Sequence, residues 1–325
     1  MSVNTLDEQL DKYLADVHSI EEQALAQMRR APDIAGDVRL AEAFAEHLPE
    51  TRAQEDRVRR RLEDRGADTA AIKDLAGKLG GVGMIAFAKA NPDTPGKLTA
   101  HAYSYEHMEI AAYDLLIRVA ERANDDQTVE MAAINLSEER GMAQRLAGLF
   151  DVAAAASLRD AGENVLDDQL VKYLVDAHAI EQQAEQLLRK GPDLVDDGRL
   201  ADLFRRHLAE TEGHSELIAQ RLEAHDAKPS KLQDAAMRLG GLNLGAFFGA
   251  QPDTTAKLAG FAFAFEHLEI AAYELLRRIA ERAADAETVA TARSILAEER
   301  AAADELAGLW DYVLDTELAE RRVAG

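Results

Sequence analysis

The segment LDEQLDKYLADVHSIEEQ, which begins at Leu6, returns as LDDQLVKYLVDAHAIEQQ from Leu166, a register shift of 166 − 6 = 160. The register holds along the chain. His47 maps onto His207, Pro92 onto Pro252, Glu109 onto Glu269 and Glu139 onto Glu299. Between YEHMEIAAYDLLIRVAER (from Tyr105) and FEHLEIAAYELLRRIAER (from Phe265), 13 of 18 positions are identical. A period this long exceeds a solenoid unit and fits a whole domain, so each half must bury a core of its own. The length of 325 residues agrees, because single cores stop growing near ~250 residues. The joint is expected at Arg159 to Val165, where Asp160, Gly162 and Asn164 interrupt two periodic segments, which gives domains over 1–158 and 159–325.

Within each repeat the apolar residues recur at helical spacing. A first helix, about Thr5 to Arg30, carries the stripe Leu10, Leu14, Val17, Glu21, Ala24, Met28 and should stop at Ala31-Pro32. A second, about Asp37 to Arg65, carries Leu40, Phe44, His47, Thr51, Val58 and Leu62 and stops at Gly66. A third begins after Asn91-Pro92-Asp93-Thr94 and shows Leu98, Tyr105, Glu109, Ala112, Leu116 and Val119. The fourth starts near Asp125-Asp126 and shows Val129, Ala132, Leu136, Glu139, Ala143, Leu146 and Phe150. No strand pattern competes. The first two helices and the last two are joined by a few residues each, which makes two hairpins. Ala67 to Asp93 is too long for a hairpin loop and contains short apolar helical pieces around Gly80-Gly81, repeated as Gly240-Gly241. These glycines lack the Lys-Ser/Thr of a phosphate loop and read as a helix break. The expected fold is all-α, two tandem ferritin-like four-helix bundles, each with a long crossover containing short helices.

Composition removes several functions. Acidic side chains number 60 against 37 basic, a formal charge of −23. The basic cluster Arg57 to Arg61 sits among Glu55, Asp56, Glu63 and Asp64 and reads as a solvated helix face, so no nucleic-acid partner is expected. There is no run of 18 apolar residues and no basic-then-apolar leader, so no membrane partner is expected and the location should be cytoplasmic. Cysteine is absent. Thiol catalysis, Fe–S clusters and rubredoxin-type iron are excluded, and any metal must be held by carboxylate, imidazole or carbonyl.

Glu21, Glu109 and Glu139 occupy stripe positions where Leu is expected, and Glu50 and Glu106 flank the same stripes. Their counterparts are Glu181, Glu269, Glu299, Glu210 and Glu266. About five carboxylates per bundle therefore point inward, although an ionised Glu is almost never buried unpaired. Arg140 and Arg300 can match one each. Two divalent cations per bundle, each bringing +2, resolve the conflict, as in the di-iron or di-manganese sites that bundles build from inward Glu residues. Glu106 and Glu109 lie three apart on one helix face, as do His47 and Glu50, His207 and Glu210, and His18 and Glu21. Tyr113 and Tyr273 either donate to a ligating carboxylate or simply pack in the core. Phe44, Met108, Phe150 and Trp310 read as core, and His107 as an interface or surface residue.

The segments HLPETRAQ (His47) and HLAETEGH (His207) resemble the second helix of the YciF-type branch of the ferritin-like family. EHMEIAAY (Glu106) and EHLEIAAY (Glu266) look like its third helix, and the SEER and AEER segments ending at Arg140 and Arg300 like its fourth. The resemblance covers nearly all of both repeats. It implies two iron or manganese ions per bundle and oxidation of Fe(II) by oxygen or peroxide, with Glu21, Glu50, Glu106, Glu109, Glu139 and their second-repeat counterparts as ligands. The usual Glu-x-x-His is missing, because Ala53 and Met142 stand three after Glu50 and Glu139. Imidazoles must come from His47 or His18, and in the second bundle from His207, His178 or His214, which has only Gln54 opposite it. The implied role is iron handling or oxidative-stress protection, with ferroxidase- or peroxidase-like chemistry and the two bundles paired as an internal pseudo-dimer. The alternative is a non-catalytic helical scaffold or stress-associated binding module.

Overall fold

The computed structural model describes residues 6–67, 94–161, 166–195, 198–229 and 254–323. Among these residues there are eleven α-helices and no strand. In the first repeat they are α1 (Leu6–Met28), α2 (Ala31–Ile34), α3 (Val38–Arg65), α4 (Thr94–Ala123), α5 (Asp126–Ala147) and α6 (Phe150–Ala161). In the second they are α7 (Leu166–Lys190), α8 (Gly198–Ala224), α9 (Thr254–Arg282), α10 (Ala286–Ala307) and α11 (Trp310–Val323), with a 3-10 turn at Gly191–Asp193 where the first repeat has α2. The chain divides after Asp160 into two compact units, the second running from Ala161 to Glu317.

Each unit closes as a four-helix bundle. In the first, α1 packs on α3 and α4, α5 packs on α4 and α3, and the ring is complete. The second repeats this with α7 on α8 and α9, and α10 on α9 and α8. Helices α3 and α4 each pack chiefly on α1 and α5 rather than on one another, so they stand at opposite corners of the bundle, as the ferritin-like arrangement requires. The short helices expected in that crossover, with Gly80-Gly81, Gly240-Gly241 and Asn91-Pro92-Asp93, lie outside the described residues. No described helix is long and apolar enough to cross a membrane.

Local chemistry fixes the helix ends. Gly66 caps α3 at φ 68°, a left-handed conformation that costs glycine nothing, and Ala67 N–H returns to Leu62 O at 3.1 Å. Asp125 and Asp285 cap α5 and α10 by accepting from the backbone N–H of Thr128 and Thr288, each at 3.0 Å. Arg61 clamps Asp125 at 2.6 Å and Arg65 joins it at 2.5 Å. Two of the arginines expected on a solvated face thus reach across the bundle: Arg61 to the start of α5, and Arg57 to Glu138 at 2.9 Å.

Three expectations shift. Helix α1 ends at Met28, and Pro32 instead starts the short α2, where its missing N–H has no helical partner to lose. The fourth helix stops at Ala147, with a break at Gly148-Leu149 before α6. Arg159 and Asp160, placed in the joint, are helical, because the run Ala153 to Ala156 is the strongest helix-forming stretch available. The apolar stripes form the cores: Leu10, Leu14, Leu40, Phe44, Leu116, Val119 and Leu146 are all fully enclosed. Met108, read as core, is half-buried.

Candidate metal centre

The acids on the apolar stripes are inside. Glu21, Glu106 and Glu139 are 0 % exposed and Glu109 is 2 %, and Glu181, Glu266, Glu269 and Glu299 match them at 3 % or less. Glu21 rides on α1, Glu106 and Glu109 on one face of α4, and Glu139 on α5, so three helices converge on one point. The fourth helix, α3, supplies His47. Ligand atoms of His47, Glu106 and Glu139 lie within 4.8 Å of one another, and so do those of Glu21, Glu109 and Glu139. Glu139 belongs to both groups. In the second bundle the groups are His207, Glu266, Glu269, Glu299 and Glu181, His214, Glu299, with Glu299 shared. A shared carboxylate between two ligand sets is the layout of a bridged pair of cations.

The fifth acid is elsewhere. Glu50 and Glu210 have side chains 44 % and 50 % exposed, and each accepts from the Nδ1–H of its neighbouring imidazole, His47 or His207, at 2.9 Å. Three residues of helix fall short of a full turn by about 60°, so these acids stand off the seam and act on the far side of the ring. Because a carboxylate only accepts, this bond fixes the proton on Nδ1 and leaves Nε2 to face the cluster. His47 Nε2 is 3.5 Å from Glu106 and 3.7 Å from Glu139. His207 Nε2 is closer to its acids, 3.0 Å from Glu266 and 3.3 Å from Glu299. The inward set is therefore four carboxylates per bundle rather than five.

The other candidates separate cleanly. His18 bonds Glu55 at 3.1 Å and joins neither cluster, and His178 joins neither. His214 does, with Nδ1 2.9 Å from Glu299 and 3.7 Å from Glu181, while Glu298 holds its Nε2 at 2.8 Å. Its signal in the sequence is position, since His214 follows His207 by seven residues and so returns to the same face. Arg140 and Arg300 do not neutralise the buried acids; they pair on the surface with Asp114 and Glu274. His107 bonds Tyr103 O at 2.7 Å within its own helix.

Tyr113 and Tyr273 resolve to the carboxylate partner. Each hydroxyl donates to the acid on the first helix of its bundle, Glu21 or Glu181. In the first bundle Asn135 Nδ2 donates to the Tyr113 hydroxyl at 2.6 Å, and Arg57 donates to the Asn135 carbonyl. A chain of hydrogen bonds thus runs from a guanidinium to Glu21.

Protonation follows from burial. Desolvation raises Glu21, Glu106 and Glu109 well above the ordinary carboxylate range, with the Glu139 charge adding to it, and raises Glu139 to about 7. Burial lowers His47. In the second bundle burial raises Glu181 to about 7 and Glu266 to about 8. Glu299 differs: against burial, hydrogen bonds from His207 and His214 hold it down to about 2. Those two imidazoles, despite burial, are pushed up to about 12 and about 11 by the acids around them. Burial thus favours protonated carboxylates in both bundles, and the second differs in holding one of them, Glu299, ionised between two imidazoles.

The donor set fits hard or borderline divalent cations. Both oxygens of Glu106 and of Glu139, one of Glu21 and one of Glu109 are buried with no hydrogen-bond partner among the described residues, as are both oxygens of Glu269 and one of Glu181. A buried, unpaired carboxylate oxygen is costly in isolation and is an inner-sphere ligand once a cation stands beside it. Fold and site together define an all-α protein built from two carboxylate-lined four-helix bundles.

Residues 5–159 and 165–319 each match the family described as a domain of unknown function, DUF892. The chain belongs to that family, carries its domain twice, and is ferritin-like in fold. It is 28 % identical over 158 residues to Protein YciF of Escherichia coli strain K12, an alignment that spans 46 % of this chain and 92 % of that protein. No solved structure matches.

Proposed function

We propose that each bundle holds a dinuclear divalent-metal centre, iron first and manganese second, and that the protein oxidises Fe(II) with oxygen or peroxide in the cytoplasm, in iron handling or defence against oxidative stress. One observation carries the reading: four carboxylates from three helices are buried together, one of them shared between two ligand groups, with most of the first bundle's carboxylate oxygens unpaired. The ions would supply the electrons, two Fe(II) giving up one each to a two-electron acceptor such as peroxide.

The chain's own residues do the rest. Glu139 and Glu299 would bridge, and Glu21, Glu106, Glu109, Glu181, Glu266 and Glu269 would cap. His47, His207 and His214 would each offer one ring nitrogen. Glu50, Glu210 and Glu298 would not ligate but hold those rings in one tautomer. Tyr113 and Tyr273 would orient one oxygen of Glu21 and Glu181 and leave the second for the ion. Carboxylates that are protonated near neutral pH release protons as cations enter, so uptake is coupled to pH.

An anaerobic Fe(II) titration followed by addition of peroxide tests this. About four ions per chain are expected from two dinuclear sites, together with a rise in melting temperature and peroxide-dependent formation of Fe(III). Glu139→Ala with Glu299→Ala should remove all three. No ion above background and no change in melting would favour the non-catalytic scaffold instead.

A further inference from the structure

The two bundles differ at three neighbouring positions on one side of the site. Gln54, Arg57 and Asn135 in the first correspond, at the displacement of 160, to His214, Leu217 and Ile295 in the second. The exchange is concerted. Where His214 Nε2 pairs with Glu298 at 2.8 Å, the matching acid Glu138 pairs instead with Arg57 at 2.9 Å. Arg57 then needs Asn135 to receive its second hydrogen bond, and the apolar Leu217 and Ile295 need neither. The second repeat therefore carries a nitrogen donor inside the cluster, as an imidazole, and the first carries its basic group one layer out, as a guanidinium.

Gln54 is what this leaves at the ligand position. It is 0 % exposed, and both its amide oxygen and its amide nitrogen are buried without a hydrogen-bond partner among the described residues. A buried amide with neither end satisfied costs several kcal/mol unless something absent from the side-chain network meets it. On the matching helix position, His214 directs its ring at Glu181 and Glu299, the counterparts of Glu21 and Glu139.

Resting on the metal reading above, we infer that the four cation positions of the chain are of two kinds. Three carry an imidazole: His47 with Glu106 and Glu139, His207 with Glu266, Glu269 and Glu299, and His214 with Glu181 and Glu299. The fourth, Glu21, Glu109 and Glu139 with the carbonyl oxygen of Gln54, is made of oxygen alone. Imidazole favours zinc, iron, nickel and copper, whereas carboxylate and carbonyl suit manganese and magnesium. The first bundle is thereby the mixed one, with one borderline position beside one hard position, and the second bundle is uniform.

The test is a competition titration of the full ion-free chain with Zn(II) and, separately, Mn(II), with Co(II) absorption as a reporter of imidazole ligation. Zn(II) should fill three positions tightly and a fourth at least tenfold more weakly, with Mn(II) showing a smaller gap. His214→Gln should turn the three-and-one pattern into two-and-two. Gln54→His, alone and combined with Arg57→Leu and Asn135→Ile, should make all four alike. Each substitution installs a residue that the other repeat already carries at that position, and circular dichroism of each variant checks the fold. Four equal Zn(II) affinities in the unmodified chain, or a His214→Gln chain that still binds three tightly, would overturn the inference while leaving the metal centre intact. Absence of binding in every form would overturn the metal reading and this inference with it.

Discussion

Glu139 and Glu299 occupy matching positions, yet replacing them by Gln should move the stability of the ion-free chain in opposite directions. Burial raises Glu139 from its ordinary 4.5 to about 7, so keeping it ionised at pH 8 opposes folding. The gap between those values, at 1.36 kcal/mol for each tenfold change in proton affinity, amounts to about 3 kcal/mol. An amide of the same shape avoids it, and Glu139→Gln should stabilise by about that much. Glu299 is held from 4.5 down to about 2 by His207 and His214 against its burial, and it favours folding by a similar amount at any pH above 4.5. Glu299→Gln leaves two buried imidazoles facing an amide and should destabilise by about 3 kcal/mol. For a domain of this size each kcal/mol moves the melting temperature by about 2–4 °C, so the two variants should differ from the unmodified chain by roughly +6 to +12 °C and −6 to −12 °C in the affected transition. Differential scanning calorimetry of chelator-treated protein at pH 8 reads this directly. A Glu139→Gln chain that melts at or below the unmodified temperature would show that the first bundle's acids are not strained, and the electrostatic reasoning would fail.

The remaining predictions use the same geometry. Glu139, Glu181 and Glu266, raised to about 7, about 7 and about 8, favour the folded state while protonated. The stability they contribute is present below 4.5 and lost as pH rises through 7 to 8, so melting of the ion-free chain should fall between pH 5 and pH 8 and the gain on adding Mn(II) should grow over the same range. Tyr113→Phe removes the donor to Glu21 and strands Asn135 Nδ2, which should cost about 1–3 kcal/mol in chemical denaturation and weaken Mn(II) binding about tenfold. Ala284 sits at φ 55°, where Asn124 stands in the first repeat, and Ala284→Gly should stabilise by about 1 kcal/mol in urea titration. Asp125→Ala removes the α5 cap and should cost about 1–2 kcal/mol by the same assay.

The parts of this protein legible in the sequence are those set by periodicity. Glu21, Glu109 and Glu139 are visible because each replaces Leu on an apolar stripe, and a carboxylate there must be buried. The duplication adds a second copy of every such anomaly, and Gly66 and Asp125 mark helix ends by their own chemistry. The site's outer layer is less legible because it depends on small rotations about the helix axis and on side-chain reach. Glu50 and Glu210 lie one turn after an imidazole, close enough to the seam to look inward, yet their angular offset sends them behind the ring. His214 returns to the seam only when positions seven apart are compared. Asn135 falls beside the α5 stripe, and its role emerges only once Arg57 is seen to cross from α3. The pairing of Arg140 and Arg300 with surface acids was hidden for the same reason: a long side chain can turn either way, and sequence spacing does not say which.

Anomalous diffraction from crystals grown with Mn(II), recorded at a wavelength where manganese scatters strongly, tests the metal centre most directly. Two peaks are expected in each bundle, with the Glu139 or Glu299 carboxylate between them and His47, His207 and His214 each beside one. The position next to Gln54 should be bounded by oxygen alone. Density for these carboxylates hydrogen-bonded to one another, with no anomalous peak among them at saturating Mn(II), would contradict the assignment of these bundles as metal centres.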